Sequence, residues 1–261
     1  MASTTYLEQE VNKSQDNFFE ALKPLPLWAS LIAFGAPALL MVFSYHVFMP
    51  WLVGLGLAAA ESFVVAHVAP MAVMLALALG VFHHWEGRPL TWTAFSQRFR
   101  YPRLTFKAVM LGLGAFLALN IFYGLFSQLA NALGSLGLEP TAGTITSVEQ
   151  VLGESVQGHW EIVFLFLLVL FFNVIGEELW WRGIILPRQE LTHGKWTWVV
   201  HGLLWTAFHA FKWWDLVGLL PVCLFVAFIS QRTKNNWPAY IAHLLFNGLA
   251  LYVVVVAVLG A

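Results

Sequence analysis

A small set of residues in the last third of this chain has the types and spacings that could hold or move a proton. Glu177 and Glu178 are adjacent, Arg182 lies four residues after Glu178, Trp205 and His209 are four apart, and so are His243 and Asn247. A carboxylate can take a proton, an imidazole can hold or pass one, and an amide can donate or accept a hydrogen bond. Four residues is the spacing at which side chains meet on one helix face. Glu178 is therefore the ion-pair partner expected for Arg182. Glu177 then points elsewhere, with Asn173 one turn earlier on its face, and is the carboxylate left free to line a cavity.

The elements that must position these groups are membrane helices. The chain is 59% hydrophobic and only 10% charged, against about a quarter charged in a soluble domain. Its net charge of -1 with 13 Lys+Arg provides no surface for neutralising a run of phosphates, which excludes nucleic acid as a partner. The expected fold is an all-α polytopic membrane protein with about seven spans, near 27–49, 62–84, 106–131, 160–186, 196–212, 215–231 and 237–259. Trp28, Trp51, Trp85, Trp160, Trp196, Trp213, Trp214 and Trp237 stand near those edges, at headgroup level. The apolar stretch 47–61 fits a re-entrant piece or an extension of a neighbouring helix. Residues 1–26 form a polar segment expected on the cytoplasmic side, with Leu7, Val11, Phe18 and Leu22 spaced for a surface helix. Residues 27–261 read as one transmembrane domain with its core at about 160–259.

Alternating spans place nearly all Lys and Arg on one side, leaving Lys212 opposite. That bias predicts a cytoplasmic N-terminus and a C-terminus on the other side. It also brings the polar groups to one depth. Glu177 and His209 are equally far from the turn near His193, about 24 Å along each helix. His243 and Asn247 stand about 14 and 20 Å from the turn near Lys234 on the same side. A polar site between the fourth, fifth and seventh spans follows. Singly, a buried His or Glu–Arg pair is most often a packing feature; the coincidence of depth is what packing does not require. His46, His67, His83, His84, His159, His193 and His201 are read as interfacial, loop or packing residues.

Glu177-Glu178-Leu-Trp-Trp-Arg182, Trp205-Thr-Ala-Phe-His209 and His243-Leu-Leu-Phe-Asn247 resemble, in order and spacing, the motifs of the CAAX protease and bacteriocin-processing family of intramembrane endopeptidases. The likeness covers about 170–250; residues 1–160 carry no matching signal. The second motif commonly begins with Phe, where this chain has Trp205, a change expected to alter pocket shape more than chemistry. The resemblance implies hydrolysis of a peptide bond within the membrane. Glu177 would be the general base for water, with His209 helping to hold it, while His243 and Asn247 would serve the oxyanion. Glu178, Arg182 and Trp205 would support the site.

No Ser or Cys stands in a nucleophile arrangement, since the only cysteine, Cys223, lies outside the motifs. Cofactor use divides into two readings: a metal-free, glutamate-dependent reaction, which is favoured, and a zinc site made of Glu177, His209 and His243. The expected partners are membrane lipids and a peptide or lipidated protein substrate. A non-catalytic scaffold or immunity protein of the same fold, and a proton- or ion-coupled transporter, are the competing functions.

Overall fold

A computed structural model describes residues 22–133, 148–152 and 156–260. The surface helix expected in 1–26 falls mostly outside the described residues. Those described are helical, with no strand among them. This follows from the composition, because a backbone in hydrocarbon must satisfy its own N–H and C=O groups and a helix does so within one segment.

Helix α1 (Leu27–Phe43) runs through a π-helical segment (Ser44–Phe48) into α2 (Met49–Gly54), so the apolar stretch after residue 47 extends the first helix. Helix α3 (Ala59–Gly80) likewise ends in a π-helical turn, Val81–Trp85. A short helix α4 (Trp92–Arg98), capped by the Thr91 hydroxyl, precedes the long α5 (Phe106–Leu133). Helix α6 (Val148–Leu152) leads to α7 (Trp160–Glu177), which passes through a π-helical segment (Glu178–Ile185) into α8 (Leu186–His193). Helices α9 (Thr197–Phe208), α10 (Leu216–Thr233) and α11 (Trp237–Leu259) complete the chain.

The protein is an all-α integral membrane protein. Among the described residues five helical runs are long and apolar enough to cross a bilayer: Leu27–Gly54, Ala59–Trp85, Phe106–Ala132, Trp160–Thr233 and Trp237–Leu259. The expected fourth, fifth and sixth spans all fall in the 74-residue fourth run, so seven separate spans do not emerge. Two breaks divide that run. Gly194 takes φ 54°, ψ −128°, a backbone conformation that favours glycine, and Lys212 departs from helix at φ −130°, ψ 61°. The middle leg is short because α9 has 12 residues, about 18 Å of rise, and continues as a tighter 3-10 helix over His209–Asp215.

Small residues let the helices of the site approach closely. A Cβ at Gly176 would come within 2.7 Å of the Met71 carbonyl on α3, and one at Gly202 within 2.7 Å of Leu224 on α10. Phe34 on α1 stacks on Trp181 with ring centres 4.2 Å apart and meets His201 edge-on. Trp28, Trp51, Trp85, Trp160 and Trp196 are exposed, as interfacial rings are.

One end of the bundle is tied by ion pairs. Glu86 accepts from Arg98 Nε at 2.6 Å and Nη2 at 2.7 Å, and from Arg188 Nη2 at 2.7 Å. Arg98 Nη1 also donates to the Gly183 carbonyl at 2.6 Å. Glu190 accepts from Arg100 at 2.9 and 2.7 Å and from Lys234 at 2.5 Å. Leu25 N–H donates to the Arg188 carbonyl at 3.1 Å. The 86–103 connection and the end of the N-terminal segment are thereby fastened to the π-helical segment and α8.

Candidate active site

The polar groups of α7, α9 and α11 come together where the π-helical segment begins. A π turn bonds i to i+5 and is wider than an α turn, and such turns are frequent at functional sites. Glu177 closes α7 and Glu178 opens the π-helical segment, so the two carboxylates leave the backbone in different directions.

Glu178 and Arg182 are wholly buried and paired, with Arg182 Nε donating to Oε2 at 3.0 Å and Nη2 donating to Oε1. His243 joins them: its Nδ1 lies 2.7 Å from Glu178 Oε1 and 3.1 Å from Arg182 Nη2. A carboxylate oxygen can only accept, so Nδ1 carries the hydrogen, and neutral His243 presents a lone pair at Nε2. His243 is a donor at Nε2 only in its protonated form. Asn247, half-buried, donates from Nδ2 to the His243 carbonyl at 3.3 Å, which leaves its second N–H available.

Glu177 is also buried, and its Oε2 accepts from the indole Nε1–H of Trp205 at 2.6 Å. The carbonyl of the same Trp205 accepts from His209 Nδ1 at 2.8 Å. His209 is therefore held with a lone pair at Nε2. No direct hydrogen bond joins Glu177 to His209; Trp205 bonds both. The Trp205 ring further lies 3.9 Å from Arg182 Cζ, a cation–π contact, and 5.6 Å from the His243 ring, edge to face. Trp205 thus touches Glu177, Arg182, His209 and His243. The expectation that replacing Phe by Trp concerns pocket shape misses its N–H, which a phenyl ring lacks.

Three residues outside the motifs reach the same place. His67 on α3 bonds Asn173 Oδ1 through Nε2 at 3.0 Å, and Tyr45 Oη lies 2.6 Å from His67 Nδ1. His46 Nε2 donates to the Phe211 carbonyl at 2.9 Å, two residues beyond His209. Sequence reading passes over these because the partners are separated by 22 to 165 positions and share no helical period. Of the remaining histidines, His201 bonds Gln189 at 2.7 Å, His83 bonds the Arg88 carbonyl at 2.9 Å, and His159 bonds Glu161 at 2.6 Å.

The two Nε2 lone pairs, each set by an acceptor on Nδ1, have the chemistry of metal-binding imidazoles. The arrangement does not bring a set together, however: among the described residues no three His, Cys, Asp or Glu side chains could hold a metal ion. With Oε2 taken by Trp205, Oε1 is the Glu177 oxygen that can accept a proton. A carboxylate, an imidazole and an amide are group types that could bind and deprotonate a water and stabilise an oxyanion.

A comparison with known protein families finds that residues 159–249 match one described as type II CAAX prenyl endopeptidase Rce1-like. The matched stretch contains all three motifs. No curated protein and no solved structure matches the chain.

Proposed function

We propose that this chain, whose residues 159–249 match a family described as type II CAAX prenyl endopeptidase Rce1-like, hydrolyses a peptide bond of a lipidated or otherwise membrane-anchored substrate, using water activated at Glu177. The observation that carries the reading is the pair of bonds made by Trp205. One fixes Glu177 with Oε1 free, and the other fixes His209 with a lone pair at Nε2.

A water between these groups gives one hydrogen to Glu177 Oε1 and the other to His209 Nε2. Its remaining electrons attack the scissile carbonyl carbon as Glu177 takes the proton, and the carbonyl π pair moves onto oxygen. The free N–H of Asn247 donates to that oxyanion. Collapse of the tetrahedral intermediate breaks the C–N bond, and the proton held by Glu177 passes to the leaving amine. The Glu178–Arg182 pair holds His243 through Nδ1 and backs the motif helix. In this reading the reaction runs without a metal. Substrate reaches the site from the face toward which Lys and Arg are biased, taken as cytoplasmic.

The test uses full-length protein in lipid nanodiscs with a farnesylated peptide bearing a C-terminal CAAX sequence, and mass spectrometry of the released fragment. Wild type is expected to cleave it, with or without a strong zinc chelator, and Glu177→Gln is expected not to. Cleavage at the wild-type rate in Glu177→Gln would overturn the assignment of the base, and cleavage abolished by the chelator would overturn the metal-free mechanism.

A further inference from the structure

We propose that Asn173 is a further catalytic residue, held by His67 and Tyr45 so that its amide N–H2 donates to the water activated at Glu177; this rests on the hydrolytic reading above. The water already gives its two hydrogens to Glu177 and His209 in that reading. One lone pair must face the substrate carbonyl. The other is left over, and unless a donor occupies it the water can rotate between useful and useless orientations. Asn173 stands one helical turn before Glu177, on the same face of α7, and is buried.

The array behind Asn173 determines which end of its amide is free. His67 Nε2 lies 3.0 Å from Asn173 Oδ1, so a hydrogen on Nε2 ties up the carbonyl end. The Tyr45 hydroxyl, 2.6 Å from Nδ1, is a donor and fixes that tautomer from the far side of the ring. Donation runs in one direction, from phenol to imidazole to amide oxygen, and ends with the N–H2 group unclaimed by the array. Polarisation along such a chain strengthens the last donor.

The same segment also grips the opposite wall. Tyr45 belongs to the π-helical segment Ser44–Phe48, and Ser44 Oγ donates to the Ala66 carbonyl at 2.5 Å, fastening that segment next to His67. The Tyr45 ring packs on Phe211 with centres 4.7 Å apart, and His46 donates to the Phe211 carbonyl. Phe211 in turn lies against the His209 ring, with centres 5.9 Å apart. One segment of the first helix thus holds Asn173 through His67 and the chain that carries His209 through Phe211. A helix-packing role alone would need the bonds to His67 but not the amide's donor end.

The test separates those roles. Asn173→Asp keeps an oxygen for His67 and loses the N–H2 group; Asn173→Leu loses both. Acting on the farnesylated peptide in nanodiscs, both are expected to lower kcat about a hundredfold, in line with removal of one reaction-site donor, with KM little changed. Tyr45→Phe, which removes only the far end of the array, is expected to lower kcat a few-fold at unchanged melting temperature. Asn173→Asp with wild-type kcat would overturn the proposal and leave Asn173 as a packing residue. The second measurement needs no substrate: nitrogen NMR of histidine-labelled protein is expected to find His67 as the Nε2–H tautomer, shifting in Tyr45→Phe. An Nδ1–H tautomer would turn the amide around, with N–H2 toward His67, and would overturn the proposal. Should wild type cleave no such peptide, the hydrolytic reading fails, and the His67 tautomer decides the array by itself.

Discussion

The half of the molecule from α7 onward and the half before it contribute to the same site in different ways. The later half supplies reactive groups from single helices: Glu177, Glu178 and Arg182 from the start of the π-helical segment, Trp205 and His209 from one turn, His243 and Asn247 from another. The earlier half supplies clamps. Arg98 reaches the Gly183 carbonyl, Glu86 holds Arg188, and His67 holds Asn173. Chemistry within one helix demands fixed spacing, whereas a clamp demands only that two distant segments meet. The family match, confined to 159–249, follows the first requirement.

The comparison is tested most severely by removing chemistry from the later half without touching packing. Glu177→Gln keeps the shape of the side chain and an oxygen for Trp205, and deletes the base. Turnover is expected to fall by about 10²–10⁴, the usual contribution of a general base. The melting temperature in detergent should stay near that of wild type. A large loss of stability instead would make Glu177 a structural residue, and the division between reactive and clamping groups would fail at its centre.

Next in size is Arg182→Ala. The substitution strands the wholly buried Glu178 carboxylate and unmakes the cation–π contact with Trp205. Breaking a buried pair by removing one member costs about 3–5 kcal/mol. Thermal unfolding should therefore drop sharply along with activity. Unchanged unfolding would mean that the pair contributes nothing to stability.

These residues were legible in the sequence because helices repeat. Glu178 and Arg182, or His243 and Asn247, are neighbours at any depth once a helix is assumed, and apolar runs with tryptophan edges make that assumption safe. The π-helical segments were not legible, since nothing in the period of Glu178–Ile185 distinguishes a wide turn from an α turn. The ends of the legs inside the long fourth run rest on backbone angles at Gly194 and Lys212, which hydropathy does not register. Spacing along α11 reveals that His243 and Asn247 are neighbours but not that His243 meets Glu178, which lies 65 residues away. Tyr45 and His67 stayed hidden because only the folded chain brings α1 and α3 to Asn173.

Trp205→Phe probes a smaller effect at the boundary between aromatic packing and chemistry. The ring is retained, so contacts with Arg182 and His243 persist, while the donor to Glu177 Oε2 is lost. A hydrogen bond to a charged group is worth roughly 1.5–3 kcal/mol, so kcat is expected to fall by at least about tenfold with KM little altered. The His209 contact goes to the Trp205 backbone carbonyl and survives the change. Equal kcat in Trp205→Phe would show that shape alone matters at this position and would return the residue to packing.

The smallest expected effect lies in the earlier half, at Glu86, and is read through pH. Burial alone raises its carboxyl pKa, but the hydrogen bonds and charges of Arg98 and Arg188 more than offset this and hold it below the ordinary value. A carboxyl depressed in the folded state contributes stability that is complete above its unfolded pKa, about 4.3, and is lost as pH falls through the folded value. Wild type should therefore lose thermal stability progressively as pH drops below about 4.3. Glu86→Gln should start lower at neutral pH, because Arg98 and Arg188 lose their anion, and should show a shallower decline on acidification. Activity at neutral pH should fall less than in any variant of the later half, since the clamp still has the Arg98 bond to the Gly183 carbonyl and the Arg100–Glu190 pair. Parallel declines in the two proteins would mean that the charge of Glu86 contributes nothing to the clamp. The 86–103 connection would then be held by its uncharged bonds and by packing such as Phe99 against Gly183, where a Cβ would run into the ring.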